Sequence, residues 1–311
     1  MDTQVVSVQN HKAVTIIQLS TSFKDSFFYI SGPKAIRENL IDVTEVSESG
    51  SVNLLKVVNL SKEYVFFMDG DILAGAKQNR VLNTSVLLPP NSLTKLPVSC
   101  VEQGRWDRRS EKFSDTGYSA PTTLRAKKAQ NVSDSLREEK RHTSNQGEVW
   151  DSVKEYHKMH FVKSTTSNLS DLYDVMGESF ETFTKNFSMN SDANGIAIFT
   201  NNKLLNIDIF NRTEIYNEYF PKILKGAAVE AYRLEPKKIP TEAEAKFKTL
   251  DFLDKFETLS FTLSDGVGIG KEKRFETESL TGFELVNNND TIHLTALNIE
   301  GNGRKMRSSH D

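Results

Sequence analysis

The sequence predicts an α+β protein: an N-terminal antiparallel β-sandwich or jelly-roll-like module, then a mixed helix and hairpin module. Three observations lead there. Short β-branched and apolar runs, punctuated by turn-forming residues, fill roughly the first hundred positions. After residue 146 the apolar residues recur at three- and four-residue steps, the period of a helix. The 311 residues are 37% hydrophobic and 26% charged, which suits a soluble chain of about two domains.

The β-rich module spans residues 1–106. "AVTIIQLS", "LIDVTEV", "SVNLLKVVNLS" and "YVFFMDG" read as strands separated by "SESG" and "SKE". A long hairpin closes the module. Residues 81–88 and 93–102 are expected to pair across the turn at 89–92, with Val81 opposite Cys100 and Asn79 opposite Glu102. In that register one face carries Asn79, Asn83, Cys100 and Glu102, and the other carries Gln78, Arg80, Gln103 and Arg105. A slip of one residue exchanges the faces.

Residues 107–145 read as a polar connector, with one solvated helix at most. Between Arg105 and Arg141 it holds ten Lys/Arg against six Asp/Glu. Such a run is ordinarily a mobile surface segment, and the sharper alternative is a basic lid over an anion.

The third module covers 146–300. "EVWDSVKEYHKMHF" sets Trp150, Val153, Tyr156 and Phe161 near one helical face. Leu172, Val175, Met176, Phe180, Phe183 and Phe187 form a clearer stripe. "GIAIFTNNKLLNIDIF" reads as strand, Asn-Asn turn, strand. A helix follows with Ile215, Tyr216, Tyr219 and Phe220, and continues past Pro221. Thr241 with Glu244 predicts a capping box. "TLSFTL", "FETESLTGFELV" and "TIHLTALNI" read as strands, and 301–311 as a frayed tail.

Composition narrows the partners. A net charge of −3 gives no general field for nucleic acid or an anionic membrane. A single cysteine excludes an intrachain disulfide, and no apolar stretch reaches the roughly 18 residues of a membrane helix. The N-terminus lacks the pattern of a signal peptide. The expected compartment is a reducing cytoplasm.

Chemistry concentrates at the open end of the hairpin. Burying so many amides and charges is costly unless each finds a partner. In one reading they satisfy local backbone, with Glu102 paired to Arg80 or Arg105. In the other they face a ligand with phosphate, sugar or amide groups. Arg80 and Arg105 would then engage the anion, and Gln78, Asn79, Asn83 and Gln103 would orient hydroxyls or a base. Glu102 or Asp208 would act as general base or acid. The other motifs carry less. Cys100 lies mid-strand with no histidine beside it in sequence, as a small core residue does. His157 and His160 share a helix but lack an evident third ligand, and His293 alternates with apolar strand residues; no metal is assigned. "GVGIG" at 266–270 lacks the following apolar helix of a dinucleotide loop and reads as a turn. "KSTTSN" at 163–168 precedes a helix and reads as its cap, with a phosphate site as the alternative.

The segments "GAKQNR" (75–80), "NTS" (83–85) and "PVSCVEQGRW" (97–106) resemble the prokaryotic family named for its association with ADP-ribosylglycohydrolases and rhodanese-like phosphatases. The likeness extends more weakly through "QGEVWDSV", the 195–210 hairpin and "FPKILKGAAVEAY". Where relatives often have Asn-Gly and a Gly before Asp208, this chain has Asn201-Asn202 and Asn206. The family has no settled activity. The resemblance implies ADP-ribose- or NAD-related metabolites, and no cofactor is named. The expected function is binding of a phosphorylated nucleotide or sugar derivative, with enzymatic processing left open. The alternative is a non-enzymatic protein-interaction module built around a structural polar core.

Overall fold

The computed structural model describes residues 2–21, 28–48 and 50–300. The tail at 301–311 lies outside the described residues.

The chain begins with β1 (Thr3–His11) and β2 (Val14–Thr21), an antiparallel pair. Then come β3 (Tyr29–Ser31), α1 (Gly32–Arg37), β4 (Ile41–Glu45), β5 (Leu54–Asn59), β6 (Tyr64–Phe67) and β7 (Asp71–Gly75). The predicted hairpin supplies β8 (Arg80–Leu82), β9 (Val86–Leu88) and β10 (Ser92–Cys100), followed by β11 (Phe113–Ser119). Four helices then interrupt the strands: α2 (Thr122–Glu138), α3 (Gln146–His160), α4 (Leu169–Thr184) and, after β12 (Gly195–Thr200) and β13 (Lys203–Phe210), α5 (Thr213–Ala231). The last elements are α6 (Glu242–Phe256), β14 (Thr262–Asp265), β15 (Val267–Gly268), β16 (Lys271–Glu276), β17 (Leu280–Asn287) and β18 (Asp290–Asn298).

These strands form an α+β fold with a strand-rich N-terminal region. An antiparallel sheet of eight runs β1-β2-β12-β13-β18-β17-β16-β14. An antiparallel sheet of six runs β11-β7-β8-β10-β5-β4, and a mixed sheet of four runs β15-β9-β6-β3. The six- and four-stranded sheets share one apolar core that includes Val57, Leu82, Leu96 and Val98 from the former and Val65, Phe67 and Leu88 from the latter. The eight-stranded sheet is covered on both faces, as period-two alternation allows. Ile17, Ala197, Ile207 and Leu294 pack with Leu253 and Phe256 of α6. Ile16, Ile196 and Ile198 join the large core of α3, α4 and α5. Sheet membership crosses the chain in both directions: β1 and β2 lie with the C-terminal strands, and β15 joins β9.

Several local expectations hold for the reasons given. Thr241 and Glu244 form the reciprocal capping box of α6. Asn168 caps α4, accepting from the Ser170 N–H. In α4, Leu172, Phe180 and Phe183 are buried, each worth about 1.5–3 kcal/mol, whereas Val175 is exposed. Phe161 does not join the apolar face of α3. It ends the helix in a left-handed conformation and stands 81% exposed. "GVGIG" is a turn whose Val267–Gly268 portion also pairs with β9. Gly268 has φ +84°, and a Cβ there would meet the Leu87 carbonyl oxygen at 2.2 Å.

Two expectations are corrected. The solvated helix of the polar connector is α2, and eleven of its 17 residues are buried. Its polar side chains point inward because partners on the six- and eight-stranded sheets receive them: Lys128 donates to the Leu82 carbonyl of β8 and Gln130 donates to Glu276 of β16. The hairpin is also different. Arg80 lies opposite Cys100, and Leu82 opposite Val98, one residue off the expected register. Beyond Asn83 the two arms part. β9 pairs with β6, and Ser92 to Pro97 pair with β5. The all-buried Val86–Leu88 run takes a place inside another sheet, so hairpin closure is not what sets its register.

Candidate functional site

The register places Arg80 and Cys100 on one face, with Gln78 two residues along. Arg80 Nη1 donates to Gln78 Oε1 at 3.1 Å, and Nη2 reaches Glu45 Oε1 at 3.5 Å and the Ser51 carbonyl at 3.3 Å. The Gln78 amide donates to the Glu102 carbonyl at 2.8 Å. Burial raises the Cys100 thiol and lowers the Arg80 guanidinium from their ordinary values. That suits a structural thiol rather than a nucleophile.

Glu102 and Asn79 still meet, through backbone. Glu102 accepts from the Asn79 N–H at 3.1 Å, from Arg105 Nε and Nη2 at 2.8 and 2.6 Å, and from Thr166 at 3.1 Å. Burial alone would raise its carboxyl, but these hydrogen bonds outweigh it and hold the group below its ordinary value. Arg105 also donates to the carbonyls of Ala76 and Asp107 at 2.7 and 2.8 Å. Asn79 Nδ2 donates to Asn168, the cap of α4, and to Ser170 in its first turn. Gln103 is exposed and stands outside this knot.

The knot carries a small surface feature. Trp106 is 45% exposed, with Lys77 Nζ 5.3 Å and Arg80 Cζ 5.8 Å from its ring. Gly50 completes the rim. Its φ is +78°, and a Cβ there would lie 3.3 Å from Lys77, 3.4 Å from Glu45 Oε2 and 3.5 Å from Trp106. Beneath the rim, Arg80 and Glu45 are buried, and Arg80 Nε and Glu45 Oε2 have no hydrogen-bond partner among the described residues. Arg108 and Arg109 follow on the exposed side of the loop.

Asp208 belongs to a different centre, between α2 and the eight-stranded sheet. Arg125 of α2 donates to Asp208 Oδ1 and Oδ2 at 2.6 and 3.1 Å and to Asp69 at 2.9 and 3.0 Å. Asn206 donates to Asp208 at 2.7 Å. Burial would raise the Asp208 carboxyl, but the Arg125 charge overrides it and holds the group far below the usual range. His293 sits with Nε2 3.3 Å from Asp208 Oδ1 and Nδ1 2.9 Å from Ser85 Oγ. Ser85 Oγ in turn accepts the Asp69 N–H at 2.9 Å. The order Ser-His-Asp matches that of a nucleophile triad, but all three side chains are fully buried. In this conformation Ser85 and His293 share an internal hydrogen bond, with the Asp208 carboxylate 3.3 Å from the imidazole as a neighbouring charge. Lys128, one turn from Arg125, donates to the Leu82 carbonyl, and burial pulls its amine down to about 7.

Asp69, Asp208 and His293 offer ligand atoms within 4.8 Å of one another, a spacing that could hold a metal ion. Arg125 already bridges both carboxylates and supplies the positive charge such an ion would bring. His157 and His160 do not converge: their Nε2 atoms face the carbonyls of Asn168 and Val229.

Six of the eight residues singled out from the sequence lie in or beside the hairpin-end knot. Asn83 is bonded to Ser99 and the His142 carbonyl on the α2 side, and Asp208 lies in the interior centre. Sequence reasoning missed Glu45, Asp69, Arg125 and Lys128. The signal for the last two was present: Arg125 and Lys128 are three apart, in a segment where Leu124, Val132 and Leu136 mark a buried helical face.

Fold and site define the class: a mixed α+β protein with two buried polar networks, one of them ending beneath a surface tryptophan. Residues 2–297 match the family model described as the ARG and Rhodanese-Phosphatase-superfamily-associated Protein (ARPP-1) domain, and the chain belongs to that family. Comparison with curated proteins and with solved structures gave no match.

Proposed function

We propose that the loop end of β8 and β10 binds a phosphorylated nucleotide or sugar derivative, of the ADP-ribose- or NAD-related kind that the family's association suggests. One observation carries the reading: an exposed Trp106 ring with Lys77 and Arg80 against it and Arg108 and Arg109 just beyond. An aromatic face stacks a base or sugar, and flanking cations attract phosphate. Lys77, Arg108 and Arg109 would meet the phosphate and exposed Gln103 a hydroxyl. Gln78, Asn79, Glu102 and Arg105 hold the loop in place through the bonds above. Calorimetry with ADP-ribose, NAD, ADP and pyrophosphate tests it. Binding that falls about tenfold or more in Trp106→Ala and Lys77→Ala is expected. Absence of binding to all four ligands would overturn the proposal.

A second reading is favoured by the fully bonded Glu102 carboxylate: a non-enzymatic module in which the knot is a structural polar core. It expects Glu102→Gln and Asn79→Ala to lower the melting temperature while ligand response stays unchanged.

A further inference from the structure

The segment "KSTTSN" between α3 and α4 does more than cap a helix. Past the end of β10 the chain meets it in one antiparallel register: Gly104 lies against Thr166, Glu102 against Asn168 and Val101 against Leu169. The Gly104 N–H donates to the Thr166 carbonyl at 2.8 Å, and the Leu169 N–H to the Val101 carbonyl at 2.9 Å. Gly104 is needed for space: a Cβ there would lie 2.8 Å from Thr166 Cα, a backbone atom that cannot swing aside. The Thr166 hydroxyl donates to Glu102 Oε1 at 3.1 Å, the oxygen that Arg105 Nε also holds, at 2.8 Å. The segment is itself braced. Ser164 Oγ accepts the Asn168 N–H at 2.9 Å, His157 Nε2 lies 3.0 Å from the Asn168 carbonyl, and Ser167 turns the chain with φ +50°. Trp106, two residues past Gly104, is half-exposed, so burial alone does not fix its ring. The backbone on either side fixes it instead. Gly104 is tied to Thr166, and the Arg109 N–H donates to the Ala76 carbonyl at 2.9 Å.

We propose that Gly104 and Thr166 are positioning residues for Trp106, and that the 163–168 segment, carried between two helices, holds the ring where a ligand can stack on it. This rests on the binding reading above. Both residues act through the backbone of 102–106 and not on the ligand itself. An aromatic face held in place before binding lowers the ordering cost of the complex.

The test compares Gly104→Ala, Thr166→Val and Thr166→Ser with the parent by three measurements: the Trp106 indole N–H resonance, thermal melts, and calorimetry with ADP-ribose, NAD and ADP. The chain has two tryptophans, so Trp106→Phe assigns the resonance. Gly104→Ala is expected to shift that resonance and weaken nucleotide binding by about tenfold, and Thr166→Val to do the same by about threefold. Thr166→Ser, which keeps the hydroxyl, should behave as the parent. If Gly104→Ala does not fold, the two Thr166 variants carry the test. A folded Thr166→Val that leaves the Trp106 resonance in place, whatever its melting temperature, makes the contact a brace only and overturns the proposal. A Thr166→Ser that fails to restore the parent resonance overturns it too, as does a shifted resonance with nucleotide affinity unchanged. If none of the three nucleotides binds the parent while Thr166→Val still moves the resonance and Thr166→Ser restores it, the binding reading falls and the positioning of Trp106 stands.

Discussion

The hairpin end and the interior centre use the same residue types to opposite effect. In the interior, Arg125 meets two carboxylates with four short hydrogen bonds, and Asp208 gains Asn206 as well. At the hairpin end, Glu102 and Arg105 are as fully engaged, but Arg80 and Glu45 approach only to 3.5 Å and each keeps an unused atom. A buried charge with every bond made is a structural device. A buried pair with one donor and one acceptor left over is the less completely satisfied of the two. The contrast also explains why Asp208 and Glu102, both proposed from sequence as acid or base, read differently now: each is held ionised by an arginine.

The largest effect should come from Arg125→Met, which leaves Asp69 and Asp208 buried without their cation. A loss of about 3–5 kcal/mol in urea unfolding is expected. Arg80→Met should cost less, about 1–3 kcal/mol. Equal costs would remove the contrast between the two regions.

pH sharpens it next. The buried Lys128 releases its proton near 7 in the folded protein and near its ordinary 10.5 in the unfolded chain. Between those values the unfolded chain holds more protons, so stability should rise with pH, by at most about 1.4 kcal/mol per unit. Lys128→Met should flatten that rise in melts between neutral and alkaline pH. The acid side behaves oppositely. Burial would raise Glu272, but Arg274 and His142 bring it down to about 2, and Asp208 is depressed too. Their stabilisation is present above the ordinary carboxyl range, and acid titration should remove it as pH falls from about 4.5 toward 2.

The smallest stability effect belongs to the rim. Trp106→Ala should change unfolding free energy by about 0.5 kcal/mol or less while ligand binding drops. A large stability loss would place the ring in the structural class instead.

Much of this was legible beforehand. Thr241 and Glu244 announced α6, and the Leu172, Phe180 and Phe183 stripe announced α4, because caps and periodicity act between neighbours in sequence. The gathering of Gln78, Asn79, Arg80, Glu102 and Arg105 followed from a chain reversal alone. The arrangement within that gathering did not. A one-residue register change put Arg80 against Cys100, because β9 found its partner in β6, from outside the hairpin.

What the sequence determined by itself was therefore the kind and place of the elements, the strand-rich start, and the polar end of the hairpin. Tertiary structure alone decided that Arg125 would join Asp69 to Asp208, that Lys128 would be buried, and that Glu45 would lie beneath Trp106. The reason is physical. Alternation and helical spacing state which face of an element is buried, but a charge is neutralised by whichever partner the fold carries to it, and here those partners lie 35 to 83 residues away.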